Sequence, residues 1–354
     1  MKAPDSFEAV NRLFYHRGWT DGLPIIPPAK DRVNRMVEHC GFDENALIGN
    51  LPPAGGAATV KKIAINAVMA GCMPEHMPVL IAAVKAMVQE KFNLYAIQTT
   101  THPASVLTLI NGPLGRELDF NCGYNAMGQG SLGNATIGRA IRLILVNIGG
   151  ASPGVLDRST QGSPAKYSYC FSENEEENPW EPFHVERGFS STTSTVTVMG
   201  AEGPHNVNDH GGENAEEILL TVAGVLASPG INNVYLSGEP LILLGPEHAA
   251  IIARDGFSKK EIKQFLFEKA KVPLTWISEG NLKWFKRHNP NRFSGLSTDA
   301  AVPIVDSPDE IIVVVAGGMG RHSAVIPTFG GHAGSVTVAI VDQNGQPILP
   351  AAHD

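Results

Sequence analysis

The stretch Gly203-Pro204-His205-Asn206-Val207-Asn208-Asp209-His210-Gly211-Gly212-Glu213-Asn214-Ala215 is the centre of the expected fold. It follows a short β-branched segment, residues 194–199, that is typical of a buried strand. It precedes a predicted helix over residues 215–227, for which Asn214 is the expected N-cap. A strand, a polar loop and a helix in this order predict an α/β unit, in which ligands bind at the carboxyl ends of strands.

Five polar side chains of this loop can coordinate, donate or accept: His205, Asn206, Asn208, Asp209 and His210. A histidine beside a carboxylate suits acid–base catalysis, because imidazole titrates near neutral pH and the carboxylate fixes its tautomer. His205, Asp209 and His210 are also ligand types that zinc, iron or manganese accept, although their spacing matches no standard metal motif. We therefore expect these three residues to be catalytic, with a divalent metal as an option, and the two asparagines to bind substrate.

Composition and charge exclude several classes of function. The chain has 354 residues, of which 43% are hydrophobic and 18% charged, as in globular proteins. A net charge of −8 and the lack of a Lys or Arg run argue against binding to nucleic acid or an anionic membrane surface. No apolar stretch is long enough to span a bilayer, and the N-terminal residues lack an apolar signal core. We expect a cytoplasmic protein.

The chain order predicts four regions. Residues 1–58 hold N-terminal helices and a Pro-rich arm at 18–28, where three prolines are incompatible with a central strand. Residues 59–150 form a first α/β unit, 151–193 an irregular acidic connection, and 194–354 a second α/β unit that is compact with the first. The arm and the apolar helices favour a homo-oligomer.

Two segments share one order of elements, which predicts an internal duplication. Val79–Pro113 and Ile218–Pro246 each read as a helix, an aromatic strand, a second strand and a Gly-Pro pair. The aromatic strands are expected at 94–99 and 233–236. Repeated units of this kind predict an α/β fold with mixed sheets, flanking helices and functional loops along one edge.

Under that arrangement, polar residues at other strand ends can join the loop in one cleft. The expected additions are a catalytic His102 and a substrate-binding set comprising Asn111, Asn134, Arg139, His248, Arg321 and His322. The arginines suit a substrate carboxylate or phosphate, although a surface salt bridge explains Arg139 equally well. The segment 128–133 matches G-x-G-x-x-G, but ~15 loop residues separate it from a strand, so no nucleotide cofactor is predicted.

The four cysteines are scattered, with no C-x-x-C pair, so the first expectation is reduced and mostly buried thiols. Cys122 differs because it lies in a Gly- and Asn-rich loop. It is therefore the one candidate for a nucleophilic or redox cysteine, which would require a lowered pKa.

Four stretches of the chain resemble one bacterial family, whose members are similar over nearly the whole length. The stretches are Gly18–Pro24, Ala64–Cys72, Asn134–Ala140 and Gly203–Asn206. Members accompany, or are fused to, small proteins named for a U-G-S-C motif that contains selenocysteine or its replacement. Because this chain has no Gly-Ser-Cys triplet, the resemblance implies a small-molecule enzyme with a separate thiol or selenol partner.

Three functions follow from these observations. The first is an enzyme that acts on a small polar or anionic metabolite by His/Asp acid–base chemistry, of the lyase or hydrolase type. The second is the large subunit of a thiol- or selenol-dependent oxidoreductase that uses Cys122 or a partner's cysteine. The third is a non-catalytic binding or scaffold subunit whose arm clasps another protomer.

Overall fold

The structure is a computed structural model that describes residues 6–348. The helices are α1 (Phe7–His16), α2 (Lys30–Cys40), α3 (Val60–Ala70), α4 (Met77–Met87), α5 (Leu94–Thr99), α6 (Pro113–Glu117), α7 (Leu132–Asn147), α8 (Phe183–Glu186), α9 (Ala215–Leu226), α10 (Asn232–Leu236), α11 (Pro246–Arg254), α12 (Lys259–Lys269), α13 (Glu279–His288) and α14 (Pro290–Phe293). The strands are β1 (Leu47–Leu51), β2 (Gly56–Thr59), β3 (Ser105–Asn111), β4 (Cys170–Ser172), β5 (Thr195–Ala201), β6 (His205–Asn208), β7 (Leu241–Leu244), β8 (Lys271–Pro273), β9 (Ala301–Pro303), β10 (Ile312–Val315), β11 (His322–Ile326) and β12 (Val336–Ala339).

The backbone packs into two compact units. Among the described residues, unit 1 contains those up to Glu173, then His184–Gly200, and those from Ser335 onward. Unit 2 contains Asn174–Phe183 and Ala201–Gly334. The sequence prediction assigned the end of the chain to the second unit, whereas β12 pairs antiparallel with β5 and returns the chain to unit 1.

Unit 1 is built on a four-stranded sheet in the order β12-β5-β3-β4. Every residue of β3 and β5 is buried, as expected for central strands covered on both faces. The β3–β4 pair is parallel and the β12–β5 pair antiparallel, so the sheet is mixed. Helix α7 packs against α3, and a separate antiparallel pair joins β1 to β2.

Unit 2 has its own four-stranded sheet, in the order β10-β7-β11-β6, and a small antiparallel β8–β9 pair. Strands β10 and β7 are parallel, whereas β11 runs antiparallel to both β7 and β6. The apolar side chains of this sheet and of the surrounding helices form one core, which includes Val207, Ile218, Ile242 and Val313. The predicted α/β class with mixed sheets and flanking helices is confirmed.

The predicted strands at 94–99 and 233–236 are wrong, because both segments are short helices. The Asn93 side chain accepts a hydrogen bond from the Ala96 N–H and caps α5, and the Asn233 side chain donates to the Ser237 carbonyl at the end of α10. Apolar and aromatic residues in so short a run do not distinguish a strand from one or two helical turns. The two echoing segments still share one order: helix, short helix, strand, and a helix that begins at Pro113 or Pro246.

Of the other local predictions, three helix caps are confirmed and two segments have a different secondary structure from the one expected. The N-caps Thr59, Asn214 and Ser258 are confirmed by side chains that accept hydrogen bonds from the third backbone N–H of each helix. The predicted loop at 203–215 instead contains strand β6, and 184–186, expected to be extended, lies in α8. Strand β6 forms because it pairs with β11, a long-range contact that local sequence does not encode.

The Pro-rich arm lies on α7 of its own chain. Arg139 donates from Nε and Nη2 to the Asp21 carboxylate at 2.8 and 3.0 Å, and from Nη2 to the Pro24 carbonyl at 2.7 Å. Asn147 donates to the Trp19 carbonyl at 3.0 Å. Arg139, expected to bind substrate, is therefore used within unit 1 to anchor the arm. No helix in residues 6–348 has the length and apolar character that crossing a bilayer requires.

Candidate functional site

The pairing of β6 with β11 sets which side chains meet in unit 2. Asn206 lies opposite Ala324, and Asn208 lies opposite His322. Since side chains alternate between the two faces of a strand, the amides of Asn206 and Asn208 share the face that carries His322. All three residues are exposed, so this face is open to a ligand.

Two histidines meet on this face. The Nε2 atoms of His210 and His322 are 3.2 Å apart, with the two rings edge to face. His322 Nδ1 lies 2.9 Å from the Asn206 Oδ1 atom, which can only accept, so Nδ1 carries the proton. In neutral His322 the lone pair is therefore on Nε2, and His210 Nε2–H is the donor toward it.

Asp209, expected to be the carboxylate partner of a catalytic histidine or a metal ligand, stabilises the loop instead. Its Oδ2 accepts a hydrogen bond from the Thr221 hydroxyl at 2.5 Å, and its Oδ1 accepts from the Gly212 N–H at 2.6 Å. Burial alone would raise the pKa of Asp209, but these hydrogen bonds and the nearby His248 outweigh it, and the pKa is lowered. The carboxylate is thus kept ionised by the groups that orient it.

His248 is fully buried, and both of its ring nitrogens are engaged. Nε2 lies 3.0 Å from the Asp209 carbonyl oxygen and therefore carries the proton, while Nδ1 accepts from the Ser323 hydroxyl at 2.8 Å. Ser323 in turn accepts from the Gly245 N–H at 3.0 Å. Burial lowers the pKa of His248, so the ring is neutral near pH 7 and supports the loop rather than reaching solvent.

Arg321 secures the other side of the loop. Its Nη1 donates to the carbonyl oxygens of His210 and Gly212 at 3.2 and 2.8 Å, and its Nε lies 3.9 Å from a Glu247 carboxylate oxygen. The side chain remains one-third exposed. Arg321 therefore fixes the backbone that carries His210 and still places a positive charge beside the histidine pair.

His205 lies on the opposite face of β6, together with the buried Val207, because both residues are direct neighbours of Asn206 and side chains alternate between the two faces of a strand. Within the described residues, no hydrogen bond or ring contact joins His205 to Asp209 or His210. Likewise, no three His, Cys, Asp or Glu side chains in residues 6–348 cluster as ligands of one metal ion. The metal at His205, Asp209 and His210 stays a prediction, and the structure groups His210 with His322 instead.

The remaining candidates lie in unit 1. Asn134 is buried and organises the loop before α7: its Nδ2 donates to the carbonyls of Asn121 and Ala126, and its Oδ1 accepts from the Asn121 N–H. Asn111 is buried and donates to a Glu173 carboxylate oxygen at 2.5 Å. His102 is half-buried just before β3. Their hydrogen bonds explain Asn134 and Asn111 as structural residues.

The cysteines differ in exposure as the sequence predicts. Cys40, Cys72 and Cys170 are buried, and Cys122 is half-buried. Burial raises the pKa of the Cys40 and Cys170 thiols and raises that of Cys72 to about 12, so these three are poor nucleophiles. Cys122 is the cysteine with access to solvent.

Thr221 and Ser323 complete the site and were not among the expected residues. Thr221 lies on the second turn of α9, and Ser323 is the second residue of β11. Each donates a hydroxyl to one member of the Asp209–His248 network. A lone Thr on a helix or Ser on a strand carries no local sequence signal for such a role.

A comparison with known proteins finds no family model that matches the chain and no curated protein with significant sequence similarity. The geometry of the site therefore carries the functional argument.

Replacement of Thr221 by Val should destabilise unit 2 by about 1–2 kcal/mol at pH 7, because a buried carboxylate loses a charge-assisted hydrogen bond. The pKa of Asp209 is lower in the folded protein than in the unfolded chain, so its carboxylate stabilises the fold at pH values above the unfolded pKa. This contribution is lost as the pH falls through the folded pKa. The difference from wild type should therefore shrink below about pH 4. Urea unfolding at several pH values measures it, with Thr221→Ser, which retains the hydroxyl, as the control. A difference that does not change with pH would contradict this role of Asp209.

Native protein should react with iodoacetamide at one thiol per chain, at Cys122, because the other three thiols are buried and have raised pKa values. Mass spectrometry of the intact chain gives the number of labelled sites. The Cys122→Ser variant should lose the fast reaction and Cys72→Ser should keep it. Equal labelling of all four cysteines in the folded protein would show that burial does not control their reactivity.

Proposed function

We propose that the protein is an enzyme that acts on a small polar or anionic molecule, with His322 and His210 as its acid–base pair. The observation that supports this proposal is the 3.2 Å approach of the two Nε2 atoms on an exposed face, with His322 Nδ1 held by Asn206. A base needs a lone pair directed at the substrate, and the Asn206 hydrogen bond provides it by fixing the tautomer.

In this proposal His322 Nε2 accepts a proton from a substrate carbon, hydroxyl or bound water. His210 Nε2–H donates a hydrogen bond to the oxygen on which negative charge develops, and the His322 imidazolium formed in the first step returns its proton to the leaving group. Arg321, beside His322, attracts an anionic substrate group, and the Asn208 amide offers a further polar contact. Proton abstraction with return to a leaving group is lyase or hydrolase chemistry.

Metal binding is an alternative use of the same pair, in which the Nε2 lone pairs of both rings would bind the ion instead of serving as base and donor. Two imidazole nitrogens on one tetrahedral zinc ion lie about 3.3–3.4 Å apart, given Zn–N bonds of about 2.0–2.1 Å. The observed separation of 3.2 Å is close to that value, and the Nδ1–Asn206 hydrogen bond is the usual way to orient a ligating histidine. A bound zinc, iron or manganese ion would polarise a substrate oxygen, and His210 and His322 would hold it in place of the expected His205 and Asp209.

The alternative oxidoreductase function has one supporting observation, the solvent access of Cys122. A partner protein's thiol or selenol could reach that residue, whereas the other three cysteines are buried. Turnover that requires an added thiol protein and is abolished in Cys122→Ser, yet survives loss of the histidine pair, would favour it over the acid–base enzyme.

The test is a panel of ester, amide and phosphate monoester substrates and dehydratable hydroxy acids, assayed with and without added zinc, iron or manganese. For any substrate turned over, His322→Gln should lower kcat by roughly 10²–10⁴-fold, the usual contribution of a general base. His210→Gln should have an effect of similar size, and Asn206→Ala a smaller one because Nδ1 can still donate to water.

His39→Gln, on the exposed surface of α2, is the control for loss of an imidazole. His205→Gln separates the loop histidine expected from sequence from the pair observed in the structure. Turnover that survives in folded His210→Gln and His322→Gln variants, or that depends on His205 alone, would contradict the proposal.

A further inference from the structure

Unit 1 contains a cavity of about 680 Å³, a volume in the range of small-molecule sites. Its walls come from the arm (Thr20 and Asp21), from α7 (Arg142 and Val146) and from the segment 151–167. All of these residues belong to unit 1. The cavity thus joins the arm, a core helix and an irregular loop around one space.

Both carboxylates that line this cavity, those of Asp157 and Asp21, are already paired with a cation, and the partner of Asp21 lies outside the cavity lining. Lys166 binds both carboxylate oxygens of Asp157 at 2.7 and 2.8 Å, and Arg139 binds both carboxylate oxygens of Asp21. Arg142, in contrast, donates to the Lys166 carbonyl at 3.0 Å and the Gln98 side-chain oxygen at 3.2 Å. Within residues 6–348 it forms no ion pair. One buried guanidinium therefore lacks a counter-charge in its immediate contacts.

This arrangement is costly unless an anion completes it. The Arg142 residue is only 9% exposed, and removing a charge from water is unfavourable unless the charge is paired. Burial lowers the pKa of Arg142, while the charges of Asp157 and Asp21 raise it, so the neighbouring carboxylates compensate only in part. The Nη2 group of Arg142 makes no hydrogen bond in the described chain and is available to a ligand.

We infer that this cavity is a binding site for a small carboxylic acid, whose carboxylate pairs with Arg142. One unpaired positive charge calls for a group with one negative charge, and the planar guanidinium matches a carboxylate better than a point charge would. The side chains of Val146, Pro153 and Tyr167 provide an apolar wall for the body of the acid, and Gln161 offers a polar contact at an exposed position.

The inference goes beyond the proposed enzyme function, because it uses none of the residues of the histidine pair. It also assigns a role to the segment 151–167, which the sequence suggested was only an irregular connection. The two proposals use different residues and can therefore be tested independently of each other.

Calorimetric titration of the full-length protein with benzoate tests the inference, with benzyl alcohol as a neutral ligand of similar shape. We expect benzoate to bind and benzyl alcohol to bind at least about tenfold more weakly, since the alcohol lacks the charge-assisted hydrogen bonds. Arg142→Gln should weaken benzoate binding by about tenfold or more. Arg158→Gln, which removes an exposed charge from the same segment but does not line the cavity, should change it less than about twofold.

Gln161→Trp provides a second variant that leaves the hydrogen bonds of Arg142 intact and fills part of the cavity. It should also weaken benzoate binding. If Arg142→Gln does not fold, the effect of Gln161→Trp on benzoate affinity tests the proposed site. The inference is overturned if benzoate at millimolar concentration does not bind, or if benzyl alcohol binds equally well. It is also overturned if folded Arg142→Gln or Gln161→Trp retains wild-type affinity, or if inorganic phosphate displaces benzoate at lower concentration than benzoate itself binds.

Discussion

The antiparallel pairing of β6 with β11 is the constraint on which the candidate site depends. Because side chains alternate along a strand, this register places Asn206 and His322 on one face and leaves His205 on the other. A shift of one residue would exchange the faces and separate the Asn206 amide from the His322 ring. The tautomer of His322, and with it the direction of its lone pair, follows from the register.

A second set of interactions keeps the loop after β6 in place so that His210 reaches His322. Thr221 and Gly212 bind the Asp209 carboxylate, and His248 donates to the Asp209 carbonyl oxygen. Arg321 donates to the carbonyl of His210 itself. These buried or half-buried groups have their hydrogen bonds satisfied within the unit, which is how polar side chains usually persist in a protein interior. They position the pair and leave both imidazoles exposed.

Much of this could be predicted from sequence, and the failures have a common cause. The α/β class and the helix caps at Thr59, Asn214 and Ser258 follow from local patterns of residues. The sequence could not distinguish His205 from His210, since that difference arises from a strand pairing between residues more than a hundred positions apart. For the same reason Arg139 could not be recognised as the partner of Asp21, a contact across 118 residues.

The most direct test of the account is the protonation of the His322 ring. Protein labelled with ¹⁵N-histidine, studied by long-range ¹H–¹⁵N NMR near pH 8, where an ordinary histidine is neutral, reports which ring nitrogen carries the proton. The His322→Gln variant assigns the signal. The account predicts a proton on Nδ1 and an unprotonated Nε2 that accepts the hydrogen bond from His210, with that preference lost in Asn206→Ala. A His322 ring protonated at Nε2 in the wild-type protein would contradict the proposed base and the geometry on which it rests.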